Sequence, residues 1–207
     1  MPTDAKAPSR ARAADELKIA ALEQFASVGF AGTSLQHIAD HAGYSKSSVL
    51  YHYASKEALL EAAIEPAVTQ FEEVLEDYLA ARDSERRRRL VDRVIDLLLV
   101  HREAVHVFLI QGPSLAELPI IARADAAVRR LAAAICDERE SVEDQVRFGI
   151  ALGGAAFLLT AGRTFADDRV QPSDDELRTA LHAVLPELLA PEASDHPAAA
   201  IRPTTTD

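Results

Sequence analysis

The chain has 207 residues, 48 % hydrophobic and 27 % charged, the balance of a soluble globular protein large enough to build its own core. Its one cysteine, Cys136, excludes an internal disulfide framework and a thiolate zinc site and fits a reducing cytosol. A net charge of −11 excludes a general polycation, yet residues 1–56 hold six Lys and Arg against five Asp and Glu, a net of +1, so the other 151 residues carry −12.

Residues 1–13, rich in Ala, Pro, Ser and Arg, read as a disordered basic arm, with no apolar run of the kind a secretory signal needs. Beyond them alanine is abundant and no run of alternating β-branched residues occurs, so helix is expected throughout. The first helix is expected over 15–28, with Ile19, Leu22, Phe25 and Ala26 on one apolar face and Gly29 ending it. The second is expected over 34–42. Thr33 and Gln36 have capping-box spacing, Leu35, Ile38, Ala39 and Ala42 form an apolar stripe, and Gly43 stops the helix. Ser45 caps a third helix reaching residue 51, and Ser55 caps a fourth that opens Lys56-Glu57-Ala58-Leu59-Leu60.

Helices are then expected over 55–80, 85–109, 114–137, 141–165 and 173–189. Gly112-Pro113 separates two of them, Pro66 and Pro186 are expected kinks or breaks, and Pro119 is a further breaking point. The most apolar stretch, 148–162, has 15 residues, short of the about 20 that a bilayer span needs. It reads as a buried helix in which Gly149 and Gly153 let a neighbouring helix approach closely. Residues 191–207 form a Pro/Ala/Thr tail without periodicity, expected to be disordered.

The second and third helices, joined by about four residues, have helix-turn-helix spacing. Ala39 sits where the helices cross, Gly43 permits the sharp turn, and Ile38 and Val49 fill the small core between them. The exposed set expected on the third helix is Ser45, Lys46, Ser47, Ser48, Tyr51 and His52: hydroxyls, one cation and aromatic donors that suit phosphates and base edges in a major groove. Lys56 lies at a helix N-terminus, an unfavourable place for a cation unless an anion joins it, and a phosphate gripped together with the free N–H groups would remove the conflict.

Residues 29–39 (GFAGTSLQHIA) and 42–59 (AGYSKSSVLYHYASKEAL) resemble the DNA-binding head of TetR-type transcriptional regulators, and the resemblance covers about residues 15–60 without a gap. It implies an all-α fold of about nine helices: a helix-turn-helix domain over 14–55, a ligand-binding and dimerisation domain over 56–190, and a tail over 191–207. It also implies that Thr33 and Ser34 lie against backbone phosphate, that Ser45, Lys46, Ser47 and Ser48 lie in the major groove, and that Tyr51, His52 and Lys56 contact the backbone or groove rim. Arg10 and Arg12 are candidates for a minor-groove arm. Three departures stand out: Leu50 replaces a phosphate-contacting tyrosine, Tyr53 replaces a phenylalanine, and Ala54 replaces a proline, which should loosen that turn.

The resemblance further implies a cytoplasmic homodimer on a palindromic double-stranded operator, a repressor released by a small-molecule effector; control by a protein partner is the alternative. Leu98, His101, Phe108, Phe148 and Leu152 are candidate pocket residues. Phe148, Leu152, Phe157, Leu177, Leu181 and Leu185 are candidates for the dimer face or the core. No enzyme activity, cofactor, metal or membrane partner is expected. His101 and His106 are five residues apart, about 140° around a helix, and neither an H-E-x-x-H, a G-x-S-x-G nor a P-loop occurs. Arg86–Arg89 reads as a solvated face, and Cys136, beside Asp137 and Glu138, as an unreactive thiol.

Overall fold

A computed structural model describes residues 10–83, 85–136, 141–161 and 172–189. Helical propensity and capping produce nine α-helices among the described residues: α1 Arg10–Val28, α2 Leu35–Ala42, α3 Lys46–His52, α4 Lys56–Ala80, α5 Arg86–Val100, α6 Arg102–Gln111, α7 Pro119–Cys136, α8 Val142–Ala161 and α9 Asp174–Leu189. A 3-10 turn, Gly112–Leu115, joins α6 to α7. The all-α expectation therefore holds.

The first helix begins at Arg10, five residues before the expected start, so Arg10 and Arg12 are helical rather than part of a loose arm. An i,i+4 bond from Arg12 Nε to Glu16 Oε1 at 2.8 Å supports this added turn. The rest of the expected arm and the whole expected tail lie outside the described residues. Leu17, Ala21 and Phe25 are the buried ridge of α1, whereas Ile19, expected inside, is 59 % exposed. The expected 85–109 helix divides at His101, whose φ of −112° and ψ of 32° interrupt the helix without glycine or proline. Pro119 opens α7, where a missing N–H costs nothing. Pro66 and Pro186 break neither α4 nor α9; both are exposed, so water can take the carbonyl each one frees.

Two apolar cores are stacked along the molecule. One joins Leu17, Phe25, Ile38 and Val49 to Leu59, Ile64 and Val68 of α4, Val107 of α6 and Ile120 and Ile121 of α7. The other joins Val74 and Tyr78 of α4 to Val91, Ile95, Leu131, Ala155, Leu159, Leu181 and Leu185 of α5, α7, α8 and α9. One straight run of sequence, α4, thus belongs to both. Leu181 and Leu185 are core residues, and Phe148, Leu152 and Leu177 are half-buried against that core. The outward apolar set of the last two helices is instead Val146, Ile150, Phe157 and Leu158 of α8 with Val184 and Leu188 of α9. Gly149 and Gly153 lie in the same outward stretch: a Cβ at either would meet no described atom within 4 Å, so no described helix of this subunit packs against them for their small size. Among the described residues no single helix is long and apolar enough to cross a membrane.

Candidate nucleic-acid interface

Ser34, not Thr33, caps α2: its Oγ accepts from the His37 N–H at 3.2 Å. Gln36 closes no capping box, because its amide donates to Asp40 Oδ1 at 2.7 Å. Thr33 is 3 % exposed, and its hydroxyl donates to the Gly29 and Gln24 carbonyls at 2.8 and 3.2 Å. Its side chain is therefore spent inside the α1–α2 loop, a correction to its expected place against phosphate. At the other end of α2, Gly43 adopts φ +73°, and the Tyr44 N–H reaches back to the Ala39 carbonyl at 2.8 Å, closing the helix as a Schellman turn. Ile38, Ala39 and Val49 are fully buried where α2 and α3 cross, as their spacing predicts.

The third helix is capped by Ser45, whose Oγ accepts from the Ser48 N–H at 3.1 Å and lies 2.9 Å from Ser48 Oγ. Those two hydroxyls build the helix start. Lys46, Ser47, Leu50 and Tyr51 are the exposed set, at i, i+1, i+4 and i+5 on one face. Leu50, absent from the sequence-derived set, is 46 % exposed, and its side chain suits contact with a thymine methyl rather than with phosphate. Tyr51 is 66 % exposed; the Arg10 guanidinium lies 5.2 Å from its ring centre and the half-buried His52 ring meets it edge-on. The Tyr53 hydroxyl donates to the Ala14 carbonyl at 3.0 Å, a tie that a phenylalanine lacks and that holds the turn despite Ala54.

The ammonium of Lys56 donates to the Phe30 and Thr33 carbonyls at 2.7 and 2.9 Å and sits 4.2 Å from the Phe30 ring centre. The cation's conflict with the α4 dipole is thus met by two loop carbonyls and an aromatic face. Lys56 positions the α1–α2 loop instead of presenting an open phosphate grip. The same loop is held from the other side by Gln111 at the end of α6. Its Oε1 accepts from the Phe30 N–H at 2.6 Å and its Nε2 donates to the Phe25 carbonyl at 2.7 Å. Nothing in the sequence around residue 111 points to a partner more than 80 positions away. Two further bonds fix α2 and α3 on α1: His41 Nε2 to Glu23 Oε2, and the Tyr44 hydroxyl to Glu16 Oε2, both 2.6 Å. The Tyr44 hydrogen bond, helped by Arg12, holds the Glu16 carboxyl below its ordinary range, and the Tyr44 hydroxyl is correspondingly raised.

In the body, α4 to α8 surround a cavity of about 240 Å³. Leu98, Phe108 and Leu152 line it, as expected, together with Phe71, Val94 and Val128 among others, and every described lining residue is apolar. His101 is not on its wall: the ring lies at the α5–α6 junction, 2.8 Å from Gln70 Oε1, and burial pushes its pKa down. Phe148 packs against the second core outside the cavity. No group of three potential metal ligands occurs among the described residues.

Residues 19–63, which hold the capped α2–turn–α3 unit and its supports, match the family model of bacterial regulatory proteins, tetR family. Over this segment, 22 % of its length, the chain is similar to tetR-family regulators. The HTH-type transcriptional regulator RutR of Escherichia coli K12 is 51 % identical over 45 residues, which are 22 % of this chain and 21 % of RutR, so the match spans about a fifth of that relative's length. Beyond the head, likeness is carried by fold. A member of the TetR transcriptional regulator family from Streptomyces coelicolor has a TM-score of 0.65 at 24 % identity, covering 84 % of this chain and 89 % of the other. AibR, solved in complex with isovaleryl coenzyme A and operator DNA, has a TM-score of 0.58 at 21 % identity, covering 84 % of this chain and 96 % of AibR. RutR and the Streptomyces protein are named as transcriptional regulators and neither as an enzyme.

Proposed function

We propose that this chain is a TetR-type regulator, a cytoplasmic, homodimeric repressor that binds a palindromic operator and is released when a small molecule enters the α4–α8 cavity. The observation that carries the reading is the outward face of α3. Lys46, Ser47, Leu50 and Tyr51 project from a short helix that caps, turns and hydrogen bonds fix on α1. Such a helix fits a major groove, with Ser34 at the exposed α2 N-terminus against phosphate. Ser45 and Ser48 shape the helix start and their hydroxyls stay within reach of the groove wall.

A second copy supplies the second recognition helix, about 34–36 Å away on successive major grooves. The outward apolar residues of α8 and α9 support that pairing: Ile150, Phe157, Leu158 and Val184 are 65, 43, 60 and 48 % exposed. For release, linkage requires that the effector bind the DNA-free form more tightly than the DNA-bound form. The sixth helix supports such coupling, because Phe108 and Leu109 face the cavity while Gln111 grips the α1–α2 loop. AibR, similar in fold, is solved in complex with both isovaleryl coenzyme A and operator DNA, so a protein of this fold takes both kinds of partner. The test is a footprint of the full-length protein on DNA upstream of its own gene, repeated across a salt series. A protected palindrome whose affinity falls steeply with salt is expected; uniform non-specific binding, or a monomer on DNA, overturns the reading.

A further inference from the structure

We infer that the part of the effector held in the α4–α8 cavity is an uncharged aliphatic tail of about eight to ten carbons, with its polar head left at the mouth. This inference rests on the reading of the cavity as a ligand site. All seventeen described lining residues, from Ile64 on α4 to Ala156 on α8, are aliphatic, phenylalanine or glycine. Most of them lie in helix interiors, where backbone groups are bonded along the helix; Leu97, Leu98, Ala104 and Leu109 lie in end turns. A hydroxyl, amide or charge carried inward would lose its water and gain no partner. Sugars, nucleobases, amino acids and ionised compounds are therefore excluded from the interior.

Size sets the length. An apolar cavity of about 150 Å³ accommodates six-carbon benzene, so about 240 Å³ corresponds to nine or ten carbons. Phe71 and Phe108 are the two aromatic residues among the described lining residues, and the rest are aliphatic or glycine. The mouth fixes the orientation. Leu109 of α6 and Val128 of α7 line the cavity yet are each 41 % exposed, and Gly153 of α8 reaches solvent beside them. A head group at that point stays hydrated. From Phe108 and Leu109 a shallow groove continues between α6 and α7 to the ion pair of Asp125 and Arg129, polar ground for the head. A free fatty acid and an acyl thioester carry the same tail and differ only in what they leave outside.

The experiment is calorimetric titration of the full-length protein with straight-chain carboxylates and matching primary alcohols of four to sixteen carbons, and with decanoyl-coenzyme A. Affinity should rise about fourfold per added methylene and level off at eight to ten carbons, with acid and alcohol of one length within about tenfold of each other. Val94→Phe adds a ring to the cavity wall and should move the plateau shorter by three to four carbons; Ala124→Leu serves the same purpose from α7 if the first variant does not fold. No dependence on chain length, binding confined to the coenzyme A ester, or an unmoved plateau in a folded variant overturns the inference. Operator binding is measured in parallel. Operator binding without tail binding sinks this inference alone, whereas tail binding that leaves the DNA complex intact supports it and sinks release by the effector.

Discussion

Replacing Gln111 by Leu keeps the side-chain size but removes an amide that makes two hydrogen bonds to the α1–α2 loop, one to the Phe30 N–H and one from Nε2 to the Phe25 carbonyl. Phe25, at the end of α1, is buried and Phe30 is half-buried, and Gly29 between them holds φ +88°, so the loop has little freedom to find new partners. The Phe25 carbonyl keeps its bond from the Gly29 N–H at 3.1 Å, so two net hydrogen bonds plus partial desolvation of the Phe30 N–H come to about 2–3 kcal/mol. For a chain of this size that is about 4–12 °C in melting temperature. The loop carries Thr33 and the α2 cap at its end, so operator affinity should fall about tenfold in the same variant. Gln111→Glu tests the arithmetic: its carboxylate still accepts from the Phe30 N–H but faces the Phe25 carbonyl without a proton, and melting should fall between wild type and the leucine variant. Differential scanning calorimetry and quantitative footprinting read the two effects. A leucine variant that melts within about 1 °C of wild type and binds its operator unchanged refutes the reasoning, because the geometry then does not hold the loop.

Lys46→Ala should weaken every DNA site by a similar factor and lower the salt slope by about one if the ammonium contacts phosphate, while Leu50→Ala should leave the slope alone and relax preference at one A·T pair; equal slopes in wild type and Lys46→Ala discount the phosphate contact. Lys56→Met should cost about 1–3 kcal/mol of stability, since it removes the ammonium's bonds to the Thr33 carbonyl and to the Phe30 carbonyl, which keeps only the Thr33 N–H at 3.3 Å, and unchanged urea denaturation contradicts the positioning role. Burial pushes the His101 pKa down, so the ring's contribution is complete above its unfolded value of about 6.5 and is lost as pH falls through the lower folded value. In His101→Gln, which keeps a partner for Gln70, the melting temperature should therefore drop less between pH 7.5 and pH 5 (assay conditions of about these values) than in wild type; parallel pH profiles count against it.

The helix-turn-helix was legible because its signals are local. Ser45 and Gly43 act within one turn of themselves, and the Leu35, Ile38, Ala39 stripe needs only helical spacing to find its core. Ser34 and Thr33 were harder to tell apart, since either can cap by chemistry and the choice is made by the carbonyls of Gly29 and Gln24, which claim the threonine. Lys56 and Gln111 were illegible in their roles because their partners are set by chain crossing, 23 to 86 residues away. Ile19 was misplaced because an alanine-rich helix can bury a second, smaller-residue face. The division at His101 carries no glycine or proline to announce it. Three of the five expected cavity residues line it, and His101 and Phe148 do not, because helical spacing cannot choose between neighbouring gaps in one bundle.

The sharing of α4 between both cores has an outcome for engineering. The DNA-reading head cannot be lifted off at residue 55, since Val107, Leu115, Ile120 and Ile121 from the far side of the sequence complete its interior. A chimera that grafts residues 10–55 onto another regulator's body would inherit a half-empty seat beneath Phe25 and Ile38. A transplant meant to swap operator preference should carry the tip of α6 and the start of α7 along with it, or confine itself to the four outward positions of α3.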